Sequence, residues 1–131
     1  MELPSQFMEN WCYDRHTLFS LAKHYKTGET LPEHYYEELV SARNYMSGLS
    51  MLSQLQFSFL DLELHYRYNP NEKETPSQIR DKISQKTMIM DPLPEDLFLC
   101  TFCHIFSRIY AAWYYSYKWA EVLSADTFAA F

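Results

Sequence analysis

The sequence predicts an all-α fold: an elongated helical bundle of about four helical segments, one of them very long, in a single domain over residues 1–131. Three observations favour this class. Apolar residues recur at intervals of three and four along most of the chain. Only two residues are glycine, Gly28 and Gly48, so few positions loosen a helix. Hydrophobic residues make up 47% of the chain, which is enough for a real core.

The first half of the chain predicts two helices. The first begins near Pro4, which suits a first helical turn, and ends before Gly28. The very long helix is predicted from Pro32 to about Tyr66, where apolar residues follow a spacing close to 3.5. At about 1.5 Å per residue it would be roughly 50 Å long. Its apolar positions are Leu39, Ala42, Met46, Leu49, Leu52, Phe59 and Leu62.

The second half predicts a shorter helix and a C-terminal one. Thr75 and Pro76 can open a helix through "SQIRDKISQ", after the turn-forming stretch "NPNEKETP". The segment "TMIMDPLPEDLF" is interrupted by prolines and is predicted to be irregular. From about Leu97 to Phe131 the pattern predicts helix again, in one piece or two.

Charge and hydropathy exclude several classes of partner. The net charge is −6, so the chain has no basic surface for the phosphates of nucleic acid. No apolar run approaches the roughly 18 residues of a membrane span, and "MELPSQ" lacks the regions of a signal peptide. We therefore expect no nucleic acid and no membrane as partners, and a cytoplasmic location with reduced cysteines.

The cysteines and histidines do not form a convincing metal or cofactor motif. "CTFCH" at 100–104 has the form of a c-type haem attachment site, but attachment requires export. A zinc site on Cys100, Cys103 and His104 would need a fourth ligand, and no second cysteine pair or spaced histidine pair follows. We expect all three cysteines, including Cys12, to be small buried apolar residues, and we expect no cofactor.

Two further patterns have ordinary structural explanations. Glu33, Glu37 and Glu38 are typical of a solvated helix face near a positive helix N-terminus. The tyrosines at 110, 114 and 117 are spaced to share one face of a helix, which more often indicates amphipathic packing than chemistry.

Two longer stretches resemble a known family. "ELPSQFMENW" at 2–11 and "FCHIFSRIYAAWYYSYKWAEVLSADTF" at 102–128 are similar to two signature regions of the thimet oligopeptidase and oligopeptidase A family of zinc metallopeptidases. The resemblance covers nearly the whole chain. It implies a large, mostly helical fold with a deep cleft that acts on short peptides. It also implies that Glu2 corresponds to the third zinc ligand, and that peptide binding and oxyanion stabilisation involve His104, Tyr110 and Tyr117, with Tyr114 beside them.

The sequence departs from the family pattern in three ways. The H-E-x-x-H helix, which carries two zinc ligands and the general base in that family, is missing, so we expect no catalysis and no bound metal, with Glu2 as a vestigial ligand. The chain also starts in the middle of the first motif. Where the family reads H-I-F-S/A-G-G-Y-A-A-G-Y-Y-S-Y, this chain has Arg108, Ile109 and Trp113 in place of glycines.

These replacements predict a stiffer segment with a new surface. Each glycine costs a helix about 1 kcal/mol relative to alanine, so their loss should convert the segment into helix. Phe106, Ile109 and Trp113 would then form one stripe beside Arg108. Aromatic, aliphatic and arginine side chains together are typical of a protein-binding hot spot. The alternative is that the stripe packs within the chain or forms the seam of a homodimer.

The resulting hypothesis is a non-catalytic, engineered helical scaffold derived from an oligopeptidase fragment. Helix 104–123 would contact a protein partner or an antibody, or present a foreign helical epitope. The alternative is an isolated piece of the catalytic domain of a zinc oligopeptidase, with no activity of its own. A drifted natural pseudoenzyme is a third hypothesis, which the truncated start disfavours.

Overall fold

The computed structural model describes residues 2–106 and 109–131, and every regular element in these ranges is a helix. The all-α prediction is therefore confirmed. None of the described helices has both the length and the apolar character needed to cross a membrane. The α-helices, numbered along the chain, are α1 (Leu3–Glu9), α2 (Arg15–Leu21), α3 (Glu33–Arg43), α4 (Ser47–Leu62), α5 (Pro76–Thr87), α6 (Phe98–Thr101) and α7 (Ser116–Phe128). Two 3₁₀ helices, Asn10–Cys12 and Cys103–Phe106, and a π-helical turn, Glu63–Arg67, accompany them.

The chain divides into two compact units, and the single domain over 1–131 stays a prediction. The first unit comprises Met1–Ser47 and Tyr117–Phe131. In it, the rings of Phe7 and Trp11 pack against those of Phe128 and Phe131, with centroids 5.0–6.0 Å apart. The two ends of the chain therefore share a cluster of aromatic rings, of which Phe131 is largely exposed and the other three are half-buried.

The second unit is the continuous stretch Gly48–Ser116. Helix α4 provides the fully buried Leu60, and α5 provides Ile79, which is 6% exposed. The amide of Gln56 donates a hydrogen bond to the Ser84 hydroxyl over 3.0 Å, which satisfies both buried polar groups between α4 and α5. This unit holds most of the residues that the sequence resemblance points to.

The structure breaks the predicted very long helix. Helix α3 ends at Arg43, a turn follows, and α4 begins at Ser47. Met46 has φ +51°, a left-handed conformation that a continuing α-helix does not contain. Residues 41–50 are all exposed, so no burial of an apolar stripe holds the chain helical there. Apolar spacing continues across the break, which is why the sequence pattern does not reveal it.

The predicted N-terminal helix is also interrupted. Helix α1 runs into the 3₁₀ turn Asn10–Cys12, and α2 starts afresh at Arg15. Asp14 caps α2, because its carboxylate accepts a hydrogen bond from the Thr17 backbone N–H over 2.8 Å. This cap also lowers the pKa of Asp14 below its ordinary value, chiefly through the same backbone hydrogen bond.

The shorter helix predicted after Thr75 is confirmed. Helix α5 opens with a reciprocal capping box, in which the Thr75 side chain accepts from the Gln78 backbone N–H and the Gln78 side chain accepts from the Thr75 backbone N–H. Pro76 occupies the first turn, where its missing N–H costs nothing. The stretch 88–97 that follows is irregular, as its prolines predict.

The predicted C-terminal helix from Leu97 to Phe131 is replaced by the short α6, the 3₁₀ helix Cys103–Phe106 and, from Ser116, α7. Residues 109–115 form turns, so the expectation that the residues replacing glycine turn this segment into helix is wrong for Ile109 and Trp113. Ala112 has φ +60°, which ends any helical continuation at that point. Helix 104–123 therefore does not exist as a single element, and the shared helical face predicted for Tyr110, Tyr114 and Tyr117 is wrong as well.

The cysteines differ from expectation too. Cys12, Cys100 and Cys103 are free thiols and all three are exposed, so the prediction that they are buried apolar residues is wrong. Cys12 and Cys103 lie in 3₁₀ helices and Cys100 lies in the short helix α6, and these short elements leave the three thiols exposed.

Candidate functional site

His104 and two tyrosines form a ring cluster in the second unit. His104 lies in the 3₁₀ turn Cys103–Phe106, and its ring stacks on that of Tyr110 with centroids 4.4 Å apart and planes 28° apart. The ring of Tyr114 meets His104 edge-on at 5.6 Å. Three of the four residues that the resemblance implicates in peptide binding therefore lie together.

Two phenylalanines, one on α4 and one directly after α6, support this group. Phe57 of α4 lies edge-on to Tyr114 at 5.6 Å, and Phe102 lies 5.8 Å from Tyr114. Phe57 and Phe102 also contact each other at 4.9 Å. We call these five residues, His104, Tyr110, Tyr114, Phe57 and Phe102, the His104 cluster. Tyr114 is its buried centre, at 7% exposed, and edge-on aromatic contacts of this kind add to the stability gained by burial.

A buried carboxylate holds the turn that carries the tyrosines. Asp61 of α4 is fully buried, and its two carboxylate oxygens accept hydrogen bonds from the backbone N–H groups of Ala112 and Tyr114, each over 2.8 Å. The His65 Nδ1 lies 2.9 Å from the same carboxylate. A buried carboxylate is costly unless it is hydrogen-bonded, and the two backbone N–H groups meet that requirement.

Ala112 is the strained position of this turn. A residue with a Cβ in the left-handed region costs about 1–2 kcal/mol, and here the neighbouring hydrogen bonds hold it. Within the turn, the Trp113 N–H donates to the Tyr110 carbonyl over 2.8 Å. Tyr110, Ala112 and Tyr114 are therefore linked through one hydrogen-bonded turn.

Glu2 and Tyr117 lie in the first unit. The Ser5 hydroxyl donates to the Glu2 backbone carbonyl over 2.9 Å, and it also lies 3.4 Å from the Glu2 carboxylate. Gln6 donates through Nε2 to the Tyr117 backbone carbonyl over 3.1 Å, and Asn10 donates to the Ser124 hydroxyl over 2.9 Å. The two stretches that carry the family resemblance are thus hydrogen-bonded to each other within this unit.

The predicted contact residues are at the surface. Phe106, Ile109 and Trp113 are 52%, 53% and 55% exposed. They do not form a helical stripe, because residues 109–115 are turns. Arg108, the fourth residue predicted to bind a protein, lies outside the described residues.

The described residues do not fit a complete zinc site. Across 2–106 and 109–131, no three or more histidine, cysteine, aspartate or glutamate side chains gather closely enough to hold a metal ion. A catalytic zinc takes three protein ligands, and the resemblance implies only Glu2 as one of them.

The chemistry available at the His104 cluster is hydrogen bonding beside an apolar wall. Tyrosine hydroxyls and an imidazole N–H donate to carbonyl or oxyanion groups, and the phenylalanine rings exclude water from one side. Such a set can orient a peptide carbonyl.

Sequence reasoning missed Asp61 and His65. The available signal was an acidic residue inside the apolar run "FSFLDLEL", since a charge on a core stripe of a helix is rarely left without a partner. Its backbone partners lie 51 and 53 residues further along the chain, where no local pattern indicates them.

The comparisons with known proteins define the class. The chain matches peptidase family M3 over residues 1–131, and it belongs to that family. The resemblance seen in the two motifs is therefore confirmed.

The relatives of the chain include oligopeptidases of a plant and of bacteria. The chain is 60% identical over its whole length to the probable cytosolic oligopeptidase A of Arabidopsis thaliana, and 60% identical to that plant's organellar oligopeptidase A, described as chloroplastic/mitochondrial. It is 40% identical to oligopeptidase A of Escherichia coli. The chain spans 19%, 17% and 19% of the length of these relatives. It corresponds to less than a fifth of such a protein.

Proposed function

We propose that this chain is a segment of the catalytic region of a zinc oligopeptidase, where it helps to hold a short peptide, and that it has no catalytic activity by itself. The observation that carries this proposal is the stack of His104 on Tyr110 with Tyr114 edge-on beside it. The family resemblance implicates these residues in binding peptide. Their convergence in one unit agrees with that role.

Each residue has a distinct part in the proposal. His104 and Tyr110 supply donors for a peptide carbonyl or for the oxyanion formed during cleavage. Tyr114, which is buried, supports both rings. The resemblance also implicates Tyr117 in peptide binding, and in this proposal Glu2 supplies one zinc ligand, since the chain has no H-E-x-x-H motif to supply the others.

A peptide titration followed by NMR tests the proposal on the chain itself. A short unstructured peptide should shift the resonances of His104 and Tyr110. Tyr110→Phe should weaken binding about fivefold, because a hydrogen bond contributes roughly 1 kcal/mol. Tyr115→Phe is the matched control, since Tyr115 is exposed and outside the cluster. Equal weakening by both variants, or no shift at His104, would contradict the role.

A contact surface along 106–113 is the second candidate function. It is favoured by the exposure of Phe106, Ile109 and Trp113, each more than half accessible. The partner would be another protein, an antibody or a second copy of the chain. Trp113→Ala should then weaken association by about 2 kcal/mol or more, measured by sedimentation. An unchanged sedimentation profile in the presence of the partner would remove this candidate.

An engineered origin is no longer the favoured hypothesis. Natural oligopeptidases match the chain across its whole length at 60% identity, which supports the alternative, a piece of a peptidase. A cytoplasmic location also stays a prediction, because one of these relatives is named cytosolic and the other organellar.

A further inference from the structure

We propose that Asp61 is a positioning residue of the His104 cluster: its carboxylate fixes the turn 109–115 and thereby holds Tyr110 and Tyr114 against His104. Its relevance to peptide binding rests on the proposed function. Asp61 does not touch the peptide in this proposal. It acts through the backbone of the segment that carries the tyrosines.

The first step of the argument is the two-point attachment. One oxygen of Asp61 accepts from the Ala112 N–H and the other accepts from the Tyr114 N–H, both at 2.8 Å. Two bonds to alternate residues fix the direction of the chain as well as its distance from α4. The Trp113 N–H donates to the Tyr110 carbonyl over 2.8 Å, so Tyr110 is tied into the same turn.

The second step is the rigidity of the anchor. Asp61 lies on the helix α4 beside the fully buried Leu60, and its own side chain is fully buried. His65, one helical turn further on, lies with Nδ1 2.9 Å from the carboxylate. A carboxylate that is fully buried and accepts two backbone hydrogen bonds has little freedom, which is what a support for a binding site requires.

The third step is the conformation that must be held. Ala112 has φ +60°, a region that its Cβ disfavours, so the turn does not persist through local preference alone. The carboxylate receives the N–H of Ala112 itself. Without that bond we expect Ala112 to return to negative φ and the rings of Tyr110 and His104 to separate.

The test uses NMR on the whole chain. In Asp61→Asn, one oxygen becomes an NH₂ group and faces a backbone donor. We expect amide exchange at Ala112 or Tyr114 to accelerate at least tenfold and the proton contacts between the His104 and Tyr110 rings to disappear. Asp126→Asn is the matched control, because it removes the same charge at an exposed position on α7. It should change neither the amide exchange at Ala112 and Tyr114 nor the contact between the His104 and Tyr110 rings.

A rescue variant separates positioning from a general structural role. Glycine tolerates positive φ, so Asp61→Asn combined with Ala112→Gly should regain the contact between His104 and Tyr110. The proposal would be overturned if the rings of His104 and Tyr110 stay apart in the double variant. It would also be overturned if they stay in contact in Asp61→Asn alone. If Asp61→Asn fails to fold, hydrogen exchange of the backbone amides in the unmodified chain decides. Unprotected amides at Ala112 and Tyr114 would overturn the proposal, and protected amides would support it.

The outcomes also separate this inference from the proposed function. Peptide binding that is equal in the unmodified chain and in Asp61→Asn overturns the role of Asp61 and leaves the proposed function standing. A His104 cluster that depends on Asp61 but binds no peptide overturns the proposed function alone.

Discussion

Trp113 and Tyr114 are neighbours in sequence with opposite surroundings. Trp113 is 55% exposed, whereas Tyr114 is 7% exposed and touches the rings of Phe57, Phe102 and His104. In a turn held by Asp61, adjacent side chains are directed to solvent and to the core. Trp113, where the resemblance implies a glycine in the family, is therefore at the surface, and Tyr114 is inside.

Truncation of these two residues should give very different stabilities. We expect Trp113→Ala to lower the free energy of unfolding by about 1–2 kcal/mol, because more than half of its side chain is already exposed. Tyr114→Ala should cost about 3 kcal/mol or more, as truncation of a buried aromatic does. Urea denaturation of both variants measures this. A Trp113→Ala cost as large as that of Tyr114→Ala would show that Trp113 belongs to the core.

The break between α3 and α4 depends on one residue in the left-handed region. We expect Met46→Gly to raise the free energy of unfolding by about 0.5–1 kcal/mol, because relief of the left-handed strain exceeds the entropy cost of glycine. Met46 is 54% exposed, so little burial is lost. Met51→Gly, inside α4, should instead lower the free energy of unfolding by about 1 kcal/mol, because glycine is unfavourable within a helix. If denaturant titrations show that both substitutions change the free energy of unfolding in the same direction, the left-handed conformation of Met46 between α3 and α4 would be contradicted.

Helix α3 is tied to the start of α2 by an ion pair with a pH dependence. Arg15 donates to the Glu33 carboxylate through Nε at 2.9 Å and Nη2 at 2.5 Å, which holds the pKa of Glu33 below its ordinary value of 4.5. A lowered pKa means that the contribution to stability is present above pH 4.5 and is lost as the pH falls through the folded pKa.

The matching experiment is a series of thermal melts between pH 7 and pH 3. Glu33→Gln should melt below the unmodified chain at pH 7, and the difference in melting temperature should shrink as the pH falls through the lowered pKa of Glu33. Both partners are exposed, so the difference should be small and should shrink in high salt. A difference that stays constant from pH 7 to pH 3 and in high salt would assign the effect to packing of Glu33 and not to its charge.

At the scale of the whole molecule, we expect the purified chain to carry no stoichiometric zinc and to cleave no short peptide. The reason is the missing H-E-x-x-H together with Glu2 as the single ligand that the family resemblance implies. Elemental analysis and a peptide-cleavage assay with and without a chelator check this. One zinc per chain with chelator-sensitive cleavage would be the contrary result.

Local patterns in the sequence determined the helical class and the start of α5. Apolar residues at intervals of three and four favour helices. Thr75, Pro76 and Gln78 lie within one helical turn, so the cap that they form needs no distant partner. The two family motifs likewise sufficed to identify the family. These features depend on residues that are close in sequence, which is the range that a sequence pattern reports.

The tertiary structure alone decided where helices end and where the site lies. Met46 and Ala112 adopt positive φ although neither residue type predicts it. The turn at Ala112 is held by Asp61 from 51 residues away, a buried carboxylate that needs backbone donors and takes them from the segment that the sequence predicted to be helix. Because that hydrogen bond competes with helical propensity and exists only in the folded chain, the His104 cluster could not be located from spacing along the sequence.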